Sequence, residues 1–112
     1  IRAGRAVWDC WQNRTKLDYQ GEFYKLDLMV PLFDPGPIEH PEIPIHVAAV
    51  NPVMCQIAGE VADGVRPHPV CTPSYIEQVM LPAVRGGAAK AGRGRGDFSG
   101  GKEAVGAAAA RR

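Results

Sequence analysis

Three places in the 112-residue chain combine residue types that can do chemistry at a spacing that matters. The first is Ala49-Val50-Asn51-Pro52-Val53-Met54, where an apolar run gives way to a helix start. A helix leaves its first amide N–H groups without internal partners and is partially positive at that end. Val53 and Met54 can therefore offer donors to an anion such as a cofactor phosphate. Pro52 has no N–H, and the Asn51 side chain can cap the helix itself, which would make the segment an ordinary strand-to-helix turn. The second place is Arg66-Pro67-His68-Pro69. His68 can donate to a cofactor or substrate oxygen and can titrate near neutrality, or it can simply face solvent between two prolines. The third is Glu60 with Asp63, spaced like an acid and base on one helix face. They fall at a helix C-terminus, away from the strand ends that carry chemistry in parallel α/β units, so a turn-shaping role for Asp63 with Gly64 is expected. His40, His46, His68 and the three cysteines lack metal-ligand spacing, and no metal is expected. No residue stands out as a catalytic acid or base.

These residues need elements to hold them. Ile43 to Val50 is apolar on both faces apart from Pro44 and His46, the pattern of a strand covered on both sides. His46 then either bonds inside a core or points to the interior of a barrel. Asn51 and Pro52 open a helix whose expected stripe is Val53, Ile57 and Val61 with Met54 and Ala58. Asp63-Gly64 ends it, and Val65-Arg66 begins a second strand that Pro67 interrupts. A later helix starts at Thr72-Pro73, with Ser74 and Glu77 at capping-box spacing and a kink expected at Pro82.

Upstream, Arg2 to Trp11 has helical periodicity with Asn13 as its stop, and Leu17 to Leu26 reads as a hairpin around Gly21. Five prolines between 31 and 44 predict an extended loop that carries His40. Trp8, Trp11, Phe23 and Tyr24 are expected to pack. Residues 1–92 form the structured part, and residues 93–112, rich in Gly, Ala and Arg, are expected to be disordered or weakly helical.

Thirteen basic and twelve acidic residues give a net charge of +1, so no phosphate-backbone footprint exists; Arg93-Gly94-Arg95-Gly96 is too short to change this, and no nucleic acid is expected. An odd number of scattered cysteines argues for reduced thiols rather than disulfides. No leader or long apolar span is visible, so the expected setting is cytoplasmic, with no membrane association. The start at Ile1, in helix-like sequence, suggests residues upstream.

Ile43-Pro44-Ile45-His46-Val47-Ala48-Ala49-Val50-Asn51-Pro52, followed by Ala58-Gly59-Glu60-Val61-Ala62-Asp63-Gly64-Val65, resembles luciferase-like monooxygenases, especially members that use coenzyme F-420. Tyr19-Gln20-Gly21-Glu22-Phe23-Tyr24 and Thr72-Pro73-Ser74-Tyr75 sit where that family carries a hairpin and a helix start, so the resemblance runs from the first helix to about Gly92. It implies an α/β fold, a partial TIM (β/α)8 barrel with a β-hairpin insertion, incomplete because a closed barrel needs roughly 250 residues. It implies cofactor binding by Ala49, Val50, Asn51, Pro52, Val53 and Met54, matching an Ala-x-x-Pro turn of the family, with Pro67 and His68 on the rim. Where relatives often carry Gly, Val50 or Asn51 restricts backbone approach. The implied cofactor is F-420, with flavin mononucleotide (FMN) as the alternative. The implied activity is hydride transfer between the deazaflavin and an unidentified small organic molecule, or an FMN-dependent monooxygenase reaction.

The family's next strand is due soon after Arg95, but Ser99-Gly100-Gly101 breaks the pattern that Asp97-Phe98 begins, which points to a truncated or frame-shifted tail. The chain alone is expected to be inactive. As a non-catalytic remnant it would expose strand edges and form homo-oligomers or aggregates.

Overall fold

Cys10 is the one buried side chain of the first helix, α1 (Arg2–Asn13), and its backbone carbonyl anchors the residues just beyond the helix end. The structure is a computed structural model that describes residues 1–93, in two units, Ile1–Ile43 and a second beginning at Pro44. The tail expected to be disordered lies, from residue 94 onward, outside the described residues. In the first unit α1 runs two residues past Trp11. Arg14, not Asn13, takes the left-handed conformation (φ 52°), and the amides of Arg14 and Thr15 both donate to the Cys10 carbonyl. Asn13 stays helical because its side chain has a partner one turn back, donating to the Asp9 carboxylate at 2.7 Å.

The expected hairpin is present as β1 (Tyr19–Gln20) and β2 (Lys25–Leu26), antiparallel with Tyr19 opposite Leu26. Phe23 and Tyr24 at its tip are exposed rather than packed, because a two-stranded ribbon has nothing to bury them against. The proline-rich loop is irregular apart from a 3-10 turn at Pro31–Phe33. The Gln12 side-chain amide exchanges hydrogen bonds with both backbone groups of Ile38, at 2.9 and 3.0 Å, and the Trp11 indole N–H donates to the Met29 sulfur.

The second unit is strand, helix, strand, helix. β3 (His46–Ala48) and β4 (Gly64–Arg66) pair in parallel, His46 beside Gly64 and Ala48 beside Arg66, and α2 (Pro52–Val61) joins them. Parallel neighbours require such a crossover. Next comes one helical run made of a first turn α3 (Pro73–Tyr75), a π segment (Ile76–Met80) and α4 (Leu81–Lys90). Ala49, Cys55, Ala58, Ala62, Val65, Ile76, Met80 and Val84 form the core, with Val47 packed against it. Only one face of the strand pair is therefore covered. His46, Ala48 and Arg66 lie exposed on the other, although the sequence of β3 is apolar enough for both.

Of the stripe expected on α2 only Ala58 is fully buried, and Val61 is half-buried. Val53 and Ile57 are exposed, and the covered residues are Cys55, Ala58, Gly59 and Ala62. The reason is backbone-to-backbone packing against α4. A Cβ on Gly59 would collide with the Val84 carbonyl, and one on Gly87 with the Gln56 carbonyl. Two helices that meet through small residues approach more closely than Val and Ile would permit, which turns the larger side chains outward.

The same contact brings the end of α4 to the end of α2. The Arg93 guanidinium donates to the carbonyls of Gly59 (3.1 Å) and Ala62 (2.6 Å), satisfying groups the helix leaves open, and Lys90 donates to Glu60 at 2.9 Å. Asp63 accepts from the Ile45 amide through its carboxylate and donates its own amide to the Ile45 carbonyl, both at 2.9 Å. Pro82 produces not a plain kink but the π segment just before it. Proline cannot donate to the Gln78 carbonyl, and the Leu81 amide reaches back five residues to Ile76 instead. Among the described residues no helix is long and apolar enough to cross a membrane.

Gly86 and Gly87 offer a controlled test, since a Cβ on Gly86 meets nothing within 4 Å. Gly86→Ala should stabilise the chain by up to about 1 kcal/mol through helix propensity. Gly87→Ala should destabilise it by about 1–3 kcal/mol or more through overpacking. Urea denaturation of both variants reads the difference.

Candidate cofactor-binding site

The turn that leaves β3 is held at every residue that has something to hold it. Ala49 is buried in the core, and its amide donates to the Arg66 carbonyl at 3.2 Å, extending the strand pairing by one bond. The Val50 carbonyl accepts from the Tyr75 hydroxyl at 3.1 Å. Asn51 is the helix cap. Its side-chain oxygen accepts from the Met54 amide at 2.8 Å and its carbonyl from the Cys55 amide at 3.1 Å, with Pro52 in the first turn. Of the two amides read as anion donors, that of Met54 is thus taken by the cap. That of Val53 and, before the helix, those of Val50 and Asn51 have no hydrogen-bond partner among the described residues. Around them Val50, Pro52, Val53 and Met54 are exposed, an apolar surface set about three free donors.

Pro67 and His68 come after the end of the neighbouring strand, so both groups of site residues stand at the carboxyl ends of adjacent parallel strands, where α/β folds place ligands. Pro67 is half-buried and His68 exposed. The Val70 amide donates to His68 Nδ1 at 3.3 Å, so the neutral ring carries its proton on Nε2, which remains available as a donor. His46 lies on the uncovered strand face, its imidazole against the Gly64 backbone, where a Cβ would come within 2.8 Å of the ring. Glu60 and Asp63 are engaged in the ion pairs and backbone bonds at the opposite end of α2, which suits a structural role. Among the described residues no three His, Cys, Asp or Glu side chains gather as metal ligands.

Two features of the site escape a reading of residue types. Tyr75 looks like one more apolar member of a helix stripe, yet its hydroxyl crosses to the end of β3; the hint was a polar-tipped aromatic one turn after the Thr72-Pro73 helix start. Cys55, with no exposed surface, sits directly under the turn. Burial pushes its thiol above the ordinary range, and the nearby Cys71 adds to the shift.

The family model for luciferase-like monooxygenases matches residues 1–110, essentially the whole chain. The chain belongs to the luciferase-like monooxygenase family. Within this family it is similar to an uncharacterized protein of Mycobacterium tuberculosis, 42% identical over 98 residues that cover 88% of this chain and 29% of the relative. It is similar also to proteins named F-420-dependent glucose-6-phosphate dehydrogenase. That of Mycolicibacterium fortuitum is 35% identical, covering 74% of this chain and 24% of the relative; that of Nakamurella multipartita is 32% identical, covering 78% and 24%. The chain thus spans less than a third of the length of these luciferase-like relatives.

The raised thiol of Cys55 makes a prediction for stability against pH. The folded chain favours the neutral thiol. This contribution is complete below the range where an exposed thiol ionises and is lost as pH rises through the raised value. Denaturation midpoints should fall with alkaline pH, and Cys55→Ala should flatten part of that fall; an identical slope in the variant rules the assignment out.

Proposed function

We propose that the complete protein is an oxidoreductase that transfers a hydride between coenzyme F-420 and a small organic substrate. In this reading the chain is part of a TIM (β/α)8 barrel, with Ala49, Val50, Asn51, Pro52, Val53 and Met54 as the cofactor-binding turn and Pro67 and His68 on the rim. The observation that carries the reading is the turn after β3. It presents three amides without a partner among the described residues, inside an apolar surface at the carboxyl end of a parallel strand pair. The names of the relatives from Mycolicibacterium fortuitum and Nakamurella multipartita support F-420 as the carrier.

The residues present suit such a group. The amides of Asn51 and Val53 are placed to hold a phosphate or carbonyl oxygen, assisted by the positive end of α2. Val50, Val53 and Met54 offer apolar cover that keeps water from a bound ring. His68 can donate through Nε2 to an oxygen of cofactor or substrate. Because Val50 and Asn51 carry side chains, the backbone is reached from the amide side rather than across a bare glycine. When bound, a deazaflavin supplies two-electron hydride chemistry, and the protein's task is to bind and orient it. The uncovered face of β3 and β4, with His46, Ala48 and Arg66, then turns toward the barrel interior.

The family description favours a second reading, an FMN-dependent monooxygenase of the same fold. Titrating the complete protein with F-420 and with reduced and oxidised FMN separates the two. Saturable binding of F-420 is expected, weakened in His68→Ala, and binding of reduced FMN without F-420 selects the monooxygenase. By itself the 112-residue chain should self-associate through its open strand edges and the exposed apolar side chains of Val50, Val53 and Ile57. A sharp monomer peak in size exclusion together with a cooperative melt would contradict that.

A further inference from the structure

The bond from Tyr75 to Val50 fixes more than a distance. A trans peptide is planar, and its carbonyl and the following N–H point in opposite directions. The chain contains no cis peptide bond among its described residues. With the Val50 carbonyl drawn toward Tyr75, the Asn51 N–H of the same peptide unit is aimed away from α3. It finds no partner among the described residues, as is true of the Val50 and Val53 amides, while those of Ala49, Met54 and Cys55 are engaged.

Tyr75 is itself firmly placed. The Thr72 side chain accepts from the Tyr75 amide at 3.2 Å, and the half-buried ring packs against the core cluster, next in sequence to buried Ile76. The restraint therefore comes from a rigid element and acts on a turn that lies 25 residues earlier in the chain.

We propose that Tyr75 is a positioning residue for ligand binding: its hydroxyl sets the Val50–Asn51 peptide plane so that the Asn51 amide is presented as a hydrogen-bond donor to the cofactor. This rests on the assignment of the turn as a cofactor site. Tyr75 does not touch the ligand, and its effect passes through one peptide group. Without the hydroxyl, the Val50 carbonyl seeks water, the plane can rotate, and the amide direction is no longer set in advance, which weakens binding by lost preorganisation.

Tyr75→Phe keeps the ring in the core and removes only the hydroxyl. In the complete protein, F-420 affinity should fall by about threefold to tenfold, the loss of one ordinary hydrogen bond. Most of this should remain at temperatures well below the melt, where a general loss of stability has no effect on binding. In the wild-type protein the Asn51 amide proton, followed by nuclear magnetic resonance, should move downfield when F-420 binds. In Tyr75→Phe that shift should shrink. Wild-type binding with an unchanged constant in Tyr75→Phe overturns the positioning role alone. Failure of the wild type to bind either F-420 or FMN removes the cofactor assignment instead, and the positioning role with it. If Tyr75→Phe does not fold, the wild-type resonance decides, since an Asn51 amide unmoved by bound F-420 is incompatible with the proposal.

Discussion

The contact between the backbones of α2 and α4 at Gly59 and Gly87 governs the second unit. It sets how near the helices lie, and so which face of α2 is inside and where the last residues of α4 arrive. Once the helices are this close, Lys90 and Arg93 fall beside Glu60, Gly59, Ala62 and Asp63 and close the carboxyl end of α2. Asp63 in turn grips Ile45 just before β3 begins. The stretch Ala58-Gly59-Glu60-Val61-Ala62-Asp63-Gly64 is in this light a structural clasp: each of its polar or small members has a packing or bonding partner in place.

The unit thus divides its labour along the strand direction. At the amino ends of β3 and β4 the polar groups are consumed by one another, and this end supplies stability. At the carboxyl ends the groups are arranged but not consumed: three amides stay open among the described residues, His68 keeps a free donor, and the surrounding side chains are apolar and exposed. That asymmetry is the pattern expected of parallel α/β units, in which binding groups sit on loops carried by a rigid scaffold.

Features set by local chemistry were legible in the chain. Asn51 as cap, Pro52 in the first turn, Thr72 as the next cap, the hairpin around Gly21 and the parallel strand–helix–strand order all derive from single residues and near neighbours. What could not be read depended on a distant partner. The buried face of α2 was ambiguous because the helix is apolar nearly all round, and the choice was made by a glycine on α4. The stop of α1 is a local exception, moved to Arg14 because Asn13 found Asp9 one turn back. The open Met54 amide was closed by Asn51, an alternative visible in the sequence, whereas the grip of Tyr75 on Val50 joins residues from elements with no shared pattern.

The π segment ahead of Pro82 also acts as an angular adjuster. A π turn holds one more residue than an α turn, so it rotates everything before it by about 100° relative to everything after it. Tyr75 on the near side and Val84 on the far side can therefore each meet its own neighbour. Winding the same five residues from Ile76 to Met80 as regular α-helix would swing the Tyr75 ring about a quarter turn off its line to Val50, whereas deleting one of them would remove the wide turn and keep that line. The wide turn thus compensates the extra residue and keeps the two ends of the helical run in step.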